Sequence, residues 1–432
     1  MIPRILYPRL VQWKNSPRRK PLILQGARQV GKTALLKLFG ETEYDTYAYF
    51  NFEEDRNLAP LFEGKLAPAQ LIEKLQFYSQ NLILPHKTLL IFDEIQLCSQ
   101  ALTSLKYFNE QANEYHIACA GSHLELALGH QQSFPVGKVN FETLYPLNFQ
   151  EFLRALGREQ LFEALRTELN SGRISAFLHA DLMQLLRYYL YVGGMPEAVA
   201  TYAALRDPIQ VRSVQRDIVR AYLLDFAKHA GAQDIVKISR IWDSIPRHLA
   251  KENKKFIFTA IKTGARARDY ESSLQWLLSA GLITKVINTE TLKVPIMAYA
   301  DTESFKVYLI DVGLLGSLVD LQSDVIVRGH ELFTEFKGAM TENFIAQELR
   351  AHGIEQLYYW TSSAKAEVDF VFERGGRVQA MEVKSGERFR IKSIQSLLAQ
   401  STDVQAVVLS ASNIPSAEKI RNIPLYALSA YL

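Results

Sequence analysis

The sequence predicts an α/β protein built from several domains, and three observations support this class. From Pro21 onward, short apolar strand-like segments alternate with helix-like segments, which is typical of a parallel sheet. The stretch 149–225 is helical in pattern almost throughout, and about the last hundred residues return to alternating strands and helices. A chain of 432 residues has room for roughly two to four domains of ~150 residues each.

The composition excludes several classes of protein. With 48% hydrophobic and 22% charged residues, the chain is not a disordered one. Its two cysteines, Cys98 and Cys119, cannot build a disulfide framework or a zinc ribbon, and their apolar neighbours indicate buried free thiols. We find no apolar run near the ~20 residues of a membrane helix and no signal-peptide core in the basic N-terminus. We therefore expect a cytoplasmic protein without membrane association.

The first part of the chain carries the strand–helix alternation. Gly193-Gly194-Met195-Pro196 interrupts the long helical stretch that follows it. The elements predicted before that stretch are a strand at 22–24, a helix at 32–39, a strand at 47–52, a helix at 67–80, and strands at 87–92 and 115–120.

The second half predicts two further domains. Helices at 235–255 and 269–280, followed by a hairpin of strands at 283–286 and 293–299, have the outline of a winged helix-turn-helix. Gly281 ends the second of these helices in the usual way. The elements predicted beyond them are a helix at 341–351, strands at 368–372 and 378–383, a helix at 392–399 and a strand at 406–409.

A phosphate-binding motif follows the first predicted strand. The pattern G-x-x-x-x-G-K-[ST] lies between a strand and a helix, which is the context that it requires. Its glycines let backbone N–H groups surround phosphate oxygens, and the helix N-terminus favours negative charge. We expect Lys32 to neutralise the β- and γ-phosphates of ATP and the Thr33 hydroxyl to coordinate Mg²⁺. The predicted nucleotide-binding residues are Gly26, Ala27, Arg28, Gln29, Val30, Gly31, Lys32 and Thr33.

Two carboxylates and a serine follow neighbouring strands. The apolar run 89–92 ends in Asp93 and Glu94, so one carboxylate can hold Mg²⁺ and the other can orient the attacking water. We assign the metal to Asp93 and the water to Glu94. Ser122, after the strand at 115–120, is the candidate for contacting the γ-phosphate, although serine is also a common turn residue.

These three motifs resemble those of an AAA-type P-loop ATPase. The segments Leu144-Tyr-Pro-Leu-Asn-Phe-Gln-Glu-Phe-Leu153 and Tyr191-Val-Gly-Gly-Met-Pro-Glu197 are similar to one prokaryotic family. Its members join such an ATPase to a C-terminal domain of unknown function related to PD-(D/E)xK nucleases. The resemblance covers nearly the whole chain. It implies an ATPase core at 1–155, a helical lid or linker at 156–232, a winged helix at 233–325 and a restriction-endonuclease-like α/β domain at 326–432.

The arginine finger stays unassigned in this resemblance. Relatives often carry an arginine where this chain has Lys138, and Arg28, Arg154 and Arg187 are the remaining candidates.

A carboxylate cluster is predicted near the C-terminus. Although E-x-K occurs four times, only Glu382-Val-Lys384 lies in a predicted strand that follows a strand-borne aspartate, Asp369. Strand alternation places Glu382 and Lys384 on one face. Glu342 falls on the inward face of its predicted helix, where a carboxylate is costly without a metal or a partner. Glu342, Asp369 and Glu382 are therefore expected to hold Mg²⁺ or Mn²⁺, with Lys384 positioning water or stabilising charge on a scissile phosphate. A salt-bridged remnant on a nuclease-like fold is the alternative.

Basic residues cluster in the predicted winged helix. Lys251, Lys254 and Lys255 follow one helix, and Arg266 and Arg268 precede the next. Such a patch can contact DNA phosphates, and lysines at a helix C-terminus are also ordinary partners of the helix dipole. The aromatic residues that lie in or near this patch are Phe256, Phe258, Tyr270 and Trp276.

Two functions follow from these features. The first is an ATP-binding ATPase that couples Mg-ATP hydrolysis to a DNA-binding C-terminal module, with nuclease activity left open. The second is a nucleotide-gated signalling or interaction switch whose nuclease-like domain is inactive. The partner is DNA in the first case and a protein in the second, and a homo-oligomer is compatible with both.

Overall fold

The computed structural model describes residues 2–122, 134–229, 232–251, 253–324, 334–362, 366–386, 390–401, 403–413 and 420–432. The chain divides into two compact units. The first comprises residues 1–145 and 279–281, and the second comprises residues 146–278 and 282–432. Among the helices of the described ranges, none has the length and apolar character needed to cross a bilayer.

The first unit is built on a parallel sheet, as the sequence predicts. Within its described residues the sheet has five strands in the order β2-β3-β4-β1-β5, all paired in parallel. The neighbouring inner strands β3 and β4 are buried along their whole length, which explains their largely apolar sequence. The strands are β1 (Leu22–Gln25), β2 (Thr46–Asn51), β3 (Thr88–Asp93), β4 (His116–Ala120) and β5 (Asn140–Thr143).

Helices accompany this sheet and carry its apolar core. Ile23, Phe92 and Ile117 from three strands belong to one buried cluster with Leu71 and Leu105 from two helices. This burial fixes the sheet, and with it the carboxyl ends of β1, β3 and β4, where loops collect in such folds. The helices are α1 (Tyr7–Lys14), α2 (Lys32–Glu43), α3 (Pro68–Ser79) and α4 (Ser99–Gln111).

The second unit begins with a group of helices. The first of them starts with a capping box, in which the Asn148 side chain accepts from the Glu151 N–H and the Glu151 carboxylate accepts from the Asn148 N–H. Gly193 and Pro196 separate two helices, since Gly193 has φ +72° and proline suits a first helical turn. The helices are α5 (Phe149–Ala155), α6 (Glu159–Asn170), α7 (Ala176–Val192), α8 (Pro196–Leu205), α9 (Pro208–His229), α10 (Ala232–Leu249), α11 (Ala267–Ser279) and α12 (Val312–Leu318).

A mixed sheet completes the second unit. In the described residues it has seven strands in the order β12-β11-β10-β9-β8-β6-β7, with α13 (Thr334–Ala351), α14 (Lys392–Gln400) and α15 (Leu428–Tyr431) beside or after them in the chain. The strands are β6 (Ile283–Thr289), β7 (Ala300–Leu309), β8 (Leu357–Thr361), β9 (Glu367–Arg374), β10 (Arg377–Lys384), β11 (Val404–Ser410) and β12 (Arg421–Pro424).

The predicted wing differs from the structure. The strand expected at 293–299 begins only at Ala300, because Pro295 has no N–H for a strand ladder and Ile296–Tyr299 forms a 3₁₀ turn. Its partner β6 pairs with β7 on one side and with β8 on the other. Both strands are therefore part of the seven-stranded sheet rather than a separate two-stranded wing. The helix predicted at 235–255 also ends earlier, at Leu249.

Candidate functional site

The predicted phosphate-binding loop joins β1 to α2. Gly26 and Gly31 have φ angles of +141° and +95°, a conformation that glycine adopts at little cost. A Cβ on Gly26 would also lie 2.2 Å from the carbonyl oxygen of Leu144, so this position has no space for a side chain. The loop conformation therefore requires glycine at residue 26 for two independent reasons.

Lys32 lies under this loop. Its Nζ donates to the carbonyl oxygens of Gly26, at 2.9 Å, and Ala27, at 2.7 Å. The side chain is buried, and this burial lowers the pKa of Lys32 to about 8 although Glu94 and Asp93 act in the opposite direction. A bound phosphate would supply the opposite charge that this buried ammonium lacks.

Thr33 and Asp93 meet at the end of β3. The Thr33 hydroxyl donates to Asp93 Oδ2 at 2.7 Å, and Asp93 Oδ1 accepts from the Glu94 N–H at 3.0 Å. A hydroxyl and a carboxylate oxygen are hard ligands of the kind that Mg²⁺ prefers, and nucleotide phosphates and water supply the remainder in such sites. The residues present therefore fit a magnesium ion, with Thr33 and Asp93 as its protein ligands.

Glu94 and Ser122 are also brought together. Ser122 is buried, and its hydroxyl donates to Glu94 Oε2 at 3.3 Å. The same oxygen accepts from Gln96 Nε2. Glu94 itself has φ +51°, an uncommon conformation for a residue with a side chain and one that accumulates at functional sites.

Two residues of this site were not predicted from the sequence. The Tyr49 hydroxyl donates to Asp93 Oδ2 at 2.8 Å, and Arg4 Nη1 donates to the carbonyl oxygen of Val30 at 2.9 Å. Tyr49 belongs to β2, which pairs with β3. The sequence could have indicated Tyr49, because it is a polar residue on the strand next to the one that carries Asp93. Arg4 lies outside any motif.

Arg154, one of the arginine-finger candidates, and Lys138 both have local partners. Lys138, at the position where relatives often carry arginine, pairs with Glu110 at 2.9 Å. Arg154 pairs with Glu159 at 2.8 Å.

The predicted C-terminal carboxylates line one cavity. Its volume is about 1050 Å³. Glu342 on α13, Asp369 on β9, and Glu382 and Lys384 on β10 all border it, together with Glu367 on β9. One helix and the two strands of a hairpin thus bring these side chains to the same place.

Each carboxylate in this cavity has a lysine partner. Lys254 pairs with Glu342 Oε1, and Lys384 pairs with Glu382 Oε1 at 2.6 Å. Lys306, fully buried on β7, lies 2.5 Å from Glu367 Oε1 and 3.9 Å from Asp369 Oδ1. In the part of the chain that the structure describes, no group of three or more His, Cys, Asp or Glu residues is arranged to hold a metal ion.

Burial and these lysines set the protonation of the cluster. Burial raises the pKa of Asp369 to about 8, and the nearby Glu342 carboxylate adds to this effect. Burial also raises the pKa of Glu382. Burial acts in the same direction on Glu342, but Lys254 and Lys306 outweigh it and lower the pKa of that carboxyl. The cluster therefore combines an ionised Glu342 with an Asp369 that holds a proton near neutral pH.

Lys254 and Lys306 were not predicted as members of this cluster. Lys306 interrupts a run of buried residues that includes Phe305, Val307 and Tyr308. A lone charge in an apolar strand is costly without a partner, and this was the signal available in the sequence.

The aromatic residues near the basic patch contribute to packing inside the second unit. Phe256, Tyr270 and Trp276 are buried. Phe256 packs on Phe258 with ring centroids 5.3 Å apart, and Trp276 packs on a neighbouring helix. The three buried rings belong to the core, and Phe258 is half-buried beside Phe256. The basic residues Lys251, Arg266 and Arg268 are exposed.

The two segments on which the family resemblance rests form a buried joint in the second unit. Glu348 on α13 accepts from the Phe149 N–H at 2.7 Å through Oε1 and from the Ser429 hydroxyl at 2.5 Å through Oε2. Asp311 Oδ2 accepts from the Gly194 N–H at 2.6 Å. Both carboxyls are fully buried, so these segments have a structural role in joining helices.

The buried carboxyl of Glu348 in this joint should make the stability of the protein depend on pH. Burial raises the pKa of Glu348 from its ordinary value of 4.5 to about 7. Because the folded-state pKa is the higher one, Glu348 favours the folded state most at low pH, and this contribution is lost as the pH rises through about 7. We expect Glu348→Gln to become more stable relative to wild type between pH 5 and pH 8 in thermal unfolding.

The quantity to compare is the difference in stability between Glu348→Gln and wild type. Burial lowers the pKa of the neighbouring His352 from its ordinary value of 6.5 to about 4. Below pH 6.5 this shift makes the stability of the protein rise with pH, which is opposite to the effect of Glu348. The exposed Glu355→Gln variant is the control and should parallel wild type. A constant difference between Glu348→Gln and wild type across this range would contradict the raised pKa.

Three family models match parts of this chain. Residues 18–153 match a model described as an AAA domain. Residues 183–325 match a domain of unknown function (DUF8612), and residues 337–428 match another (DUF4143). The parallel sheet and its loop thus belong to an AAA-type P-loop domain. Comparison with curated proteins gives no match to this chain.

Similar solved structures share little sequence with this chain. A Walker-type ATPase of Pyrococcus abyssi is 16% identical, with 74% of this chain and 96% of that chain covered and a TM-score of 0.44. Drosophila ORC bound to DNA is 14% identical, with 73% and 94% covered and a TM-score of 0.27. Cdc6p from Pyrobaculum aerophilum is 12% identical, with 76% and 97% covered and a TM-score of 0.26. Scores this low carry no functional argument.

Proposed function

We propose that this protein is an Mg²⁺-dependent ATPase that couples ATP binding and hydrolysis to a C-terminal module that contacts DNA. The observation that carries the first part is the hydrogen bond between Thr33 and Asp93, at 2.7 Å, beside the glycine loop and the buried Lys32. A loop that cradles phosphates, a lysine, a hydroxyl and a carboxylate are the recurring parts of P-loop nucleotide hydrolysis.

Each residue of the loop has a distinct role in this proposal. The backbone N–H groups of residues 26–33 bind the phosphates, and Lys32 neutralises the β- and γ-phosphate oxygens. Thr33 and Asp93 hold Mg²⁺, which neutralises charge on the phosphates when it is bound. Tyr49 keeps the Asp93 carboxylate in place through its hydrogen bond to Oδ2. This arrangement leaves Glu94 to act on the attacking water.

Glu94 changes partners during this cycle. Its Oε2 accepts from Ser122 and Gln96 in the structure, and a water molecule oriented by Glu94 competes for the same lone pairs. Ser122 is then free to donate to a γ-phosphate oxygen. Exchange of the Ser122 partner links the presence of the γ-phosphate to the activation of Glu94.

Within the second unit, α13 connects α5 with the C-terminal cavity. The first N–H groups of α5 include that of Phe149, which donates to Glu348 on α13. Glu348 and Glu342 lie six residues apart on α13, about 9 Å along the helix. A displacement of α5 can therefore reach the cavity through a single rigid helix.

The DNA contact rests on the exposed basic residues. Lys251 and Lys255 follow α10, and Arg266 and Arg268 precede or begin α11, with Lys251, Arg266 and Arg268 exposed. Cations grouped in this way bind phosphates and release counterions. A homo-oligomer in which another copy supplies the arginine finger is compatible with the partners found for Lys138 and Arg154.

Nuclease chemistry in the cavity is the second candidate activity. It is favoured by Glu382 Oε2, which is buried and, among the described residues, has no hydrogen-bond partner. Mg²⁺ or Mn²⁺ would be held there by Glu342, Asp369 and Glu382, with Lys384 beside the scissile phosphate. The lysine partners of these carboxylates favour the alternative, a nucleotide-gated switch with an inactive nuclease-like domain.

A DNA binding and cleavage assay tests the coupling. The full chain is incubated with DNA and Mg²⁺ or Mn²⁺, either without nucleotide, with ADP or with a non-hydrolysable ATP analogue. We expect DNA affinity to differ between the ADP and ATP-analogue states. Equal affinity in all three states would contradict coupling, and cleavage in any state would favour the nuclease over the switch.

DNA binding should also depend steeply on salt. Each lost phosphate contact lowers the slope of log affinity against log salt by ~0.9. The double variant Lys251→Ala/Lys255→Ala should therefore flatten the slope by about two contacts. Fluorescence anisotropy over a salt series measures this slope.

The matched control removes two lysines elsewhere. Lys65 and Lys87 are exposed in the first unit, and their double alanine variant has the same change in net charge. If both double variants flatten the slope equally, the patch after α10 is an ordinary solvated surface.

A further inference from the structure

The carboxylates of the charged cavity differ in how many of their oxygens have a partner. Glu342 is fully engaged, since Lys254 occupies Oε1 and the Tyr308 hydroxyl donates to Oε2 at 2.9 Å. Glu382 is engaged through Oε1 only, by Lys384. Its Oε2 is buried and, within the described residues, unpartnered. A desolvated carboxylate oxygen without a donor indicates that the cavity accommodates a further cation or donor.

The lysines around the cavity differ in how they are held. Lys306 is fully buried on β7 between Glu367 and Asp369, so it cannot leave without disrupting the sheet. Lys254 lies in the irregular segment between α10 and α11, and its side chain is 17% exposed. A rotation about its side-chain bonds is enough to move its ammonium from Glu342 into solvent.

We propose that Lys254 is a displaceable internal cation that occupies, at Glu342, the position a divalent metal takes when the cavity is loaded. The inference rests on the metal site proposed above and specifies its regulation. With Lys254 in place, Glu342 has no free oxygen and the carboxylates do not form a metal-binding group. When Lys254 leaves, Glu342 Oε1 becomes available in the same cavity as Glu382 Oε2, and hard oxygen ligands of this kind select Mg²⁺ or Mn²⁺.

This arrangement connects the metal site with the proposed DNA contact. Lys254 lies between Lys251 and Lys255, the residues placed at the DNA phosphates. A phosphate that attracts the Lys254 ammonium would withdraw it from Glu342 and expose the carboxylate to metal. The cavity would then take a divalent cation when a polyanion is bound nearby, and remain neutralised by lysine otherwise.

Manganese binding to the full chain, without nucleotide or DNA, tests the proposal. Binding is followed by the loss of the free Mn²⁺ signal in electron paramagnetic resonance. We expect Lys254→Met to bind one Mn²⁺ per chain at least ~10-fold more tightly than wild type, and Lys254→Met/Glu382→Gln to lose this gain. Lys262→Met is the matched control, because it removes the same charge from an exposed position before α11 and should behave as wild type.

The outcomes separate this inference from the proposed function. Equal binding by wild type and Lys254→Met would retain the metal site and overturn the role of Lys254. Absence of binding in both would overturn the metal site as well, whereas ATP turnover, measured on the same samples, would report on the P-loop alone. Lys254→Ala, which also removes the ammonium from Glu342 and should give the same gain, replaces Lys254→Met if circular dichroism shows that the methionine variant is misfolded.

Discussion

Glu94→Gln should retain Mg-ATP binding and lose at least ~100-fold in ATP turnover, because a general base or water-orienting carboxylate contributes about that much to rate. Glutamine keeps the size of the side chain and can still meet the Ser122 hydroxyl, so the loop should remain intact. Lys32→Ala should instead weaken binding itself, since it removes the buried ammonium placed under the phosphates. Nucleotide affinity by fluorescence titration and phosphate release in single turnover separate the two effects.

The matched control for Glu94→Gln is Glu114→Gln. Glu114 is exposed in the same unit, before β4, and its change has no contact with the loop. Turnover by Glu94→Gln equal to that of Glu114→Gln would remove Glu94 from the mechanism. A joint loss of binding and turnover in Glu94→Gln would mean that the carboxylate positions the loop rather than the water.

The first unit was predictable because its local signals agree with its fold. β3 is apolar because it is buried on both faces, and the glycines of the loop are required by backbone angles and by contact with Leu144. Such constraints act over a few residues and are visible in the sequence. α4 and β5 were not predicted, since their boundaries depend on packing against the sheet.

The second unit was harder to predict because its sheet joins distant segments. β6 pairs with β8, about seventy residues later, and this pairing turns a predicted wing into one edge of a larger sheet. Glu342, Asp369 and Glu382 could be grouped from their spacing and faces. Lys254 and Lys306, which neutralise them, come from segments with no motif, and charge compensation across the fold leaves little trace in local patterns.

Gly194, in the interruption Gly193-Gly194, is required by close backbone packing although it takes no part in the proposed chemistry. A Cβ on Gly194 would lie 2.0 Å from the carbonyl oxygen of Leu147, far inside van der Waals contact. The Gly194 carbonyl accepts from the Leu147 N–H at 2.7 Å, and its own N–H donates to the buried Asp311. No rotation of a side chain can relieve a clash between a Cβ and the backbone.

Gly194→Ala should therefore destabilise the protein by more than ~4 kcal/mol, above the usual 1–3 kcal/mol of overpacking, because separating these backbones also leaves Asp311 short of a donor. Chemical unfolding of the purified chain, or loss of soluble protein on expression, measures the effect. Gly338→Ala is the matched control, since Gly338 is helical and the nearest atom to a Cβ added there would be Lys254 Nζ at 3.9 Å. Alanine favours a helix interior by about 1 kcal/mol, so this variant should be as stable as wild type or more so. Similar stability of the two alanine variants would show that residues 147 and 194 can separate at little cost, and the joint through Asp311 would then not be a fixed element of the second unit.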